Sequence, residues 1–225
     1  MTEKSTDTKD DKAQLSREEM YRRSMIRAHI KAYIQRGINA GIPKRYLRIG
    51  REEFKALLSG TYHKDIESIV SFIYDKPLEL SHIPFILIDG GDIENRKKAA
   101  FAIMFRLITC DNFAKYFDCR ALVHQLNAFD PKDVKSGEGR NSIADSLKKV
   151  NVFCLSEFRK SVFSEHCEGG DFMDEIIDYR VNELNPTIIT FQAPLVTANV
   201  IENLTCGQYL NDLSYKNTAA RTINH

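Results

Sequence analysis

At 225 residues with 43% apolar side chains, the chain has enough material for one sizeable core plus a short appendage. A formal net charge of +1 excludes a molecule that is a strong polyelectrolyte as a whole. Five cysteines (Cys110, Cys119, Cys154, Cys167 and Cys206) make an odd set with no C-x-x-C pair, which reads as reduced thiols of a cytoplasmic protein rather than a disulfide framework. Cys110, Cys119 and His124 are conceivable zinc ligands, but their spacing matches no familiar ligand pattern, so no metal site is expected.

Residues 1–15 are polar and charged and lack the apolar stretch of a leader peptide. They are predicted to be a disordered tail. No apolar run approaches the ~20 residues of a membrane span, so no membrane contact is expected. Ser16 followed by Glu19 reads as a capping box opening a helix over 17–36, with Gly37 as its stop and Gly41-Ile42-Pro43 as a turn. Tyr21, Met25, Ile26, Ile30, Tyr33 and Ile34 recur at helical spacing.

Between 16 and 48 stand nine Lys/Arg, namely Arg17, Arg22, Arg23, Arg27, Lys31, Arg36, Lys44, Arg45 and Arg48. Two acids oppose them, Glu18 and Glu19, for a local net of +7. This arm is read as a surface for nucleic acid or an acidic partner, or as a solvated face whose counter-charges lie elsewhere in the fold.

Residues 51–58 and 64–74 have helical patterns, and Pro77 and Pro84 bracket a linker. Phe85-Ile86-Leu87-Ile88, followed by Gly90-Gly91, reads as a buried strand of a parallel sheet. A helix is predicted over 96–108, a short strand over 116–119 and a helix over 121–128. A polar loop over 136–140 and a helix over 143–148 follow. Residues 150–155 and 186–191 are two further buried strands, separated by a helix over 172–184. Two short helical stretches are predicted after the last strand, and residues 216–225 as a frayed tail. The alternation of strand and helix predicts an α/β domain with a largely parallel sheet flanked by helices, behind the N-terminal helical arm.

A parallel sheet puts its ligand at the carboxyl ends of its strands. There the first strand runs into Gly90 and on to Asn95-Arg96-Lys97. Laid on the phosphate-loop pattern G-x-x-x-x-G-K-[ST], Gly90 matches, Asn95 replaces the second glycine, Arg96 the lysine and Lys97 the hydroxyl residue. Asn95 adds a Cβ where backbone must wrap phosphate, and Lys97 lacks the hydroxyl that would hold Mg²⁺. Asp92 and Glu94 put carboxylates where backbone amides should meet an anion. Ser164-Glu165-His166-Cys167 sets a His beside a Cys, but adjacent side chains diverge, so no nucleophile pair is read there. Phe113, Tyr116 and Phe117 are read as core rather than as a base-stacking platform, for want of flanking cations.

The segments downstream carry a resemblance. Residues 150–158, with Ser156 and Glu157, resemble a Walker B strand. Asp178-Tyr179-Arg180 followed by Asn185-Pro186-Thr187-Ile188-Ile189-Thr190-Phe191-Gln192 resembles a helix–strand pair of the bacterial DnaC/DnaI helicase loaders and the related IstB transposition ATPases. In that family a helix ending in Tyr-Arg or Arg-Arg precedes P-T-x-x-T-[ST]-N. Asn39-Ala40-Gly41-Ile42-Pro43-Lys44-Arg45-Tyr46 resembles the stretch that precedes their ATPase core.

The resemblance implies an AAA+ fold of the ASCE P-loop NTPase type over 49–215. It also implies which residues stand where that machinery works: Ser156 at the Mg²⁺-holding acid, Glu157 at the water-polarising acid and Gln192 at the sensor asparagine. The arginine-bearing segment falls on 205–213, which has no arginine. Four departures in separate segments serving one reaction imply that hydrolysis is lost, leaving Glu157 as a remnant of the catalytic set. Gly90, Asn95, Arg96, Lys97, Ser156 and Gln192 would be remnants of the nucleotide site. No cofactor is then expected, with ATP and Mg²⁺ bound only if the degenerate site still holds them.

The implied role is a non-catalytic adaptor in DNA replication. Its partners would be a replicative helicase, a loader or an initiator protein, with single-stranded DNA as a further ligand of the arm. The contact residues are then Arg22, Arg23, Arg27, Lys31, Arg36, Lys44 and Arg45. Two alternatives stand beside it. One is a divergent but active ATP-dependent loader that uses Arg96 and Lys97 for phosphate and Glu157 for water. The other is a loader mimic that inhibits replication proteins.

Overall fold

The computed structural model describes residues 17–58, 66–89, 92–127, 134–158, 170–191 and 220–224. Five strands form one parallel sheet: β1 (Phe85–Asp89), β2 (Ala114–Asp118), β3 (Val152–Phe158), β4 (Thr187–Phe191) and β5 (Ala220–Asn224), in the order β2-β3-β4-β1-β5. Eight helices surround it among the described residues. They are α1 (Arg17–Asn39), α2 (Arg51–Leu58), α3 (Ile66–Asp75), α4 (Pro77–Leu80), α5 (Ile93–Ile108), α6 (Cys119–Asn127), α7 (Val134–Lys149) and α8 (Gly170–Asn182).

The predicted α/β layer structure is therefore present. β3 is buried along its whole length, which explains why it reads as a continuous apolar run rather than an alternating one. Successive residues of β3 serve two different cores. Val152 and Cys154 join Ile86, Ile88 and Ile188 beneath α5, with α2, α3 and the last third of α1. Phe153 and Leu155 join Phe85, Leu87 and Ile189 on the other face, beneath α6, α7 and α8.

Several local expectations need correction. Residues 220–224 do not fray: they pair with β1 from Phe85↔Ala220 to Asp89↔Asn224 and form the sheet edge. The polar stretch 136–140 is not a loop but lies inside α7. The linker after Pro77 is the short helix α4, because proline at a first helical position forfeits no hydrogen bond. Gly37 does not stop α1. The helix runs through it to Asn39, and a Cβ there would come within 2.4 Å of Leu47 Cδ2. Gly37 is thus a close-approach position where α1 meets the core. The turn at Gly41 is as expected, with φ +93. The capping residue Ser16 and the two stretches predicted as helices after β4 lie outside the described residues.

At the amino ends of β3 and β4 the fold is fastened by one buried arginine. Arg180, at the end of α8, is fully enclosed and faces no carboxylate among its hydrogen-bond partners. Its Nε donates to Thr187 Oγ1 at 2.8 Å. Nη1 donates to the carbonyls of Leu147 (2.8 Å) and Val150 (2.6 Å), and Nη2 to those of Asn151 (3.2 Å) and Pro186 (2.6 Å). Two of these elements are the carbonyl end of α7 and the loop into β3, where helix dipole and unsatisfied carbonyls both favour a cation. Burial pushes the Arg180 guanidinium down to about 9.

Replacing Arg180 by methionine strands these carbonyls, and urea unfolding should report a loss of roughly 3 kcal/mol. Lysine, a point charge with no fork, should recover less than half of that loss. Wild-type stability in the methionine variant would contradict the fastening role.

Candidate functional site

The candidate site lies at the carboxyl ends of the strands, where β1 leads into α5. α5 starts at Asp92, whose Oδ1 accepts from the amides of Glu94 (2.7 Å) and Asn95 (3.1 Å). This is an ordinary aspartate N-cap. Its consequence here is that amides which could meet a phosphate already meet a carboxylate of their own chain.

Arg96 projects from the first turn of α5 into the protein, only 2% exposed. Its Nε and Nη2 donate to Glu157 Oε1 (3.0 Å) and Oε2 (2.7 Å), a bidentate pair with Glu157 itself 8% exposed. Glu157 sits at an irregularity of the β3–β4 pairing, between the partners of Leu155 and Phe158, with φ +57. A left-handed non-glycine residue costs roughly 1–2 kcal/mol and must be held by its surroundings. Thr190 of β4 is part of that hold: its Oγ1 accepts from the Glu157 amide (2.8 Å) and donates to Oε1 (3.3 Å).

A second, wetter cluster adjoins it. Lys97 Nζ lies 3.2 Å from Asp118 Oδ2 at the end of β2, and Ser156 Oγ lies 3.5 Å from the same oxygen. Ser156 also hydrogen-bonds the Tyr116 hydroxyl at 2.8 Å, and burial pushes the Tyr116 phenol well up. An aromatic column continues outward: Tyr116 packs on Phe101 (4.8 Å between centroids), and Phe101 stacks on Tyr46 (5.3 Å, 15° between planes). The Tyr46 hydroxyl donates to Glu94, which Arg45 approaches at 3.4 Å. The 3-10 turn over Lys44–Tyr46 is thereby tied to the first turn of α5.

The structure thus brings Arg96, Lys97, Ser156 and Glu157 into one region and places Asn95 at the mouth of α5. Gly90 and Gln192 lie outside the described residues, as do 205–213. Asp118, Thr190, Tyr116 and Glu94 complete the cluster; Asp118 was not singled out in the sequence, Glu94 was read there as a carboxylate opposing an anion and Tyr116 only as core. Asp118 and Tyr116 sit on a strand whose register no motif announces. Thr190 was visible inside the P-T-x-x-T stretch, whose two hydroxyls turn out to hold Arg180 and Glu157 at opposite ends of β4.

Mg²⁺–ATP does not fit the side chains as arranged. The cation at the lysine position is committed to Glu157, the N-terminal amides are committed to Asp92, and Ser156 offers a hydroxyl where a metal-holding carboxylate would stand. Among the described residues no group of three His, Cys, Asp or Glu is placed to hold a metal ion.

The arm residues divide. Arg23 pairs with Glu19 (3.2 Å), Arg36 with Asp111 (2.6 Å) and Arg45 with Glu94. Arg22, Arg27, Lys31 and Lys44 are exposed and form no ion pair with another described residue. The core reading of Phe113 is corrected. Tyr116 and Phe117 pack against the cores, but Phe113 is 66% exposed and the Arg36 guanidinium lies 5.8 Å from its ring centre. The cation that seemed to be missing arrives from α1, 77 positions earlier in the chain.

A parallel sheet in the order β2-β3-β4-β1-β5, with a helix opening at the end of β1, is the arrangement of an AAA+-type α/β fold. No family model and no curated protein sequence matches the chain. Solved structures do. A DnaC helicase loader aligns with a TM-score of 0.50 at 17% identity, covering 74% of this chain and 94% of that one. DnaI aligns at 0.52 and 17%, covering 81% and 93%. A DNA replication initiation factor aligns at 0.52 and 11%, covering 74% and 48%. The chain has the DnaC/DnaI type of AAA+ fold. Among the described residues no helix is long and apolar enough to cross a membrane.

Removing one partner of the buried pair leaves the other charge stranded. Glu157→Leu or Arg96→Met alone should each lower unfolding free energy by roughly 3–5 kcal/mol, while the double variant should return most of it. Calorimetric melting of the three variants checks this, and additive losses would contradict a coupled pair.

Proposed function

We propose that this chain is a replication adaptor of the helicase-loader type that acts through its fold and basic arm, without turning over nucleotide. The observation that carries the reading is the Arg96–Glu157 pair. The two side chains that the loader resemblance would assign to phosphate binding and water activation are spent on each other. An arginine finger alone is worth ~10³–10⁵ in rate, and no arginine stands in 205–213. Ser156 removes the second carboxylate that metal binding would use. The loader-type fold over most of the chain supports a role in replication, with a replicative helicase, a loader or an initiator protein as partner.

The arm supplies contact. One side of α1 carries Arg22, His29 and Arg36 at intervals of seven, and this line ends at Tyr33 and the exposed Phe113. Cations interleaved with exposed aromatic rings suit single-stranded DNA, whose bases stack while its phosphates pair. This favours DNA over a purely acidic protein surface for that side of the arm, although the Arg36–Asp111 pair offsets part of its charge.

Titration calorimetry with ATP and Mg²⁺ should give no saturable heat, and a coupled assay no phosphate release above buffer. Micromolar binding with turnover would replace this reading by the divergent, active loader. Charge reversal at Arg22, Arg23 and Arg27 should abolish retention on the native helicase or on labelled single-stranded DNA. Retention of both would remove the arm from the reading. Suppression of a partner loader's ATPase, rather than recruitment of helicase, would favour the mimic.

A further inference from the structure

We propose that the overhanging half of α1 is a self-association surface, and that its occupant is α8 of a second copy of this chain, joined head to tail. The inference does not rest on how the nucleotide region is read, and it uses the side of α1 that carries Arg23, Arg27 and Lys31, opposite the line of Arg22, His29 and Arg36.

Burial in α1 begins only at Tyr33. Every residue from 19 to 32 is exposed, so about 21 Å of helix extends past the domain. Helices of this length are marginal in water unless a face is covered. This one leaves Met20, Tyr21, Met25, Ile26 and Ile30 between 42% and 68% exposed. Tyr21 with Met25, and Ile26 with Ile30, are neighbours four residues apart, so two exposed apolar pairs flank the line of cations and suit a contact surface. Its charges specify what covers it. Within 19–32, four cations (Arg22, Arg23, Arg27 and Lys31) stand against one acid, Glu19, so the occupant must be acidic. Arg23, Arg27 and Lys31 recur every four residues, a ladder with steps of about 6 Å along one side of the helix.

The matching surface is in the same molecule. Residues 170–183 contain five carboxylates, at 171, 174, 175, 178 and 183, against a single cation, Arg180, which is buried. In α8, Met173, Ile176 and Ile177 face the core. Its outer side and end present Asp178 and Glu183 beside the exposed apolar side chains Tyr179 (39%) and Leu184 (59%), while Glu175 is already paired with Lys148 of α7 (2.5 Å), whose ammonium also lies 5.9 Å from the Tyr179 ring centre. Apolar residues among carboxylates thus face apolar residues among cations. α8 is 13 residues long, about 20 Å, the length of the overhang.

They cannot meet within one copy. The docked end of α1 packs on the core of Ile86 and Ile88, and α8 on the core of Phe153 and Leu155, on opposite faces of the sheet. The contact is therefore between copies. Because the two surfaces differ, it repeats from copy to copy instead of closing as a symmetric pair. One helix laid on another buries less than a standard interface, so the association is weak and strongly salt-dependent.

Sedimentation velocity of the full chain, without DNA or partner, tests this. At about 100 μM protein and about 50 mM salt the wild type should sediment as dimers and larger species, and at about 500 mM salt as monomer. Arg27→Glu with Lys31→Glu, or Asp178→Lys with Glu183→Lys, should each weaken association at least about tenfold at low salt. Circular dichroism matching the wild type shows that these exposed changes leave the fold intact. An equimolar mixture of the two variants restores complementary pairs and should recover association. Monomeric wild type at low salt, undiminished association of either variant, or a mixture that stays monomeric would each overturn the proposal.

Discussion

The carboxylate of Glu157 and the guanidinium of Arg96 meet through two hydrogen bonds in a space nearly closed to water. Two constraints follow. A charge withdrawn this far from solvent must keep its partner, so neither side chain can leave the other without a penalty of several kcal/mol. Glu157 must also hold a backbone conformation that an unsupported residue avoids, which is why β3 and β4 slip in register where Thr190 meets it. The carboxyl ends of the strands, where a fold of this type keeps its ligand, are thus filled by interactions of the chain with itself. Asp92 capping α5, and Tyr116 bonding Ser156, extend the same pattern outward.

At the opposite end of the sheet Arg180 does for the scaffold what the Arg96–Glu157 pair does for the site. It gathers carbonyls from the end of α7, the approach to β3 and the approach to β4. The two threonines of the P-T-x-x-T stretch link these ends. Thr187 accepts from Arg180 and Thr190 accepts from Glu157, along a single buried strand. The stretch that carried the loader resemblance is thereby explained by packing and hydrogen bonding within β4. It specifies the fold, and it says nothing by itself about nucleotide.

Much of this was legible in the residues. Continuous apolar runs at 85–88, 150–155 and 186–191 identified three of the buried strands. Their alternation with helical patterns identified the parallel sheet. What escaped was set by distant partners. β5 has no apolar run of its own and exists through its pairing with β1. Residues 136–140 read as a polar loop because their composition is turn-like, yet they lie within α7. Gly37 read as a helix stop because glycine usually ends helices, whereas here it admits Leu47. At the site, Arg96 was placed by laying the phosphate-loop pattern on the chain, and Ser156 and Glu157 by the loader resemblance. That Arg96 turns inward to Glu157 could not be, since 61 residues separate them and only the fold brings them together. Phe113 was misread for the same reason: its cation lies on another element.

The first half of α1 extends past the domain, while the carboxyl ends of the strands are filled by the chain's own side chains. The measurement that bears most directly on this account is amide hydrogen exchange across 92–97 and at Glu157 and Thr190, with and without millimolar ATP and Mg²⁺. Exchange at these amides should be the same in both conditions, because the site is satisfied by its own side chains. Slower exchange at 94–97 together with faster exchange at Glu157 on adding nucleotide would mean that the pair opens to admit it, and would contradict the account.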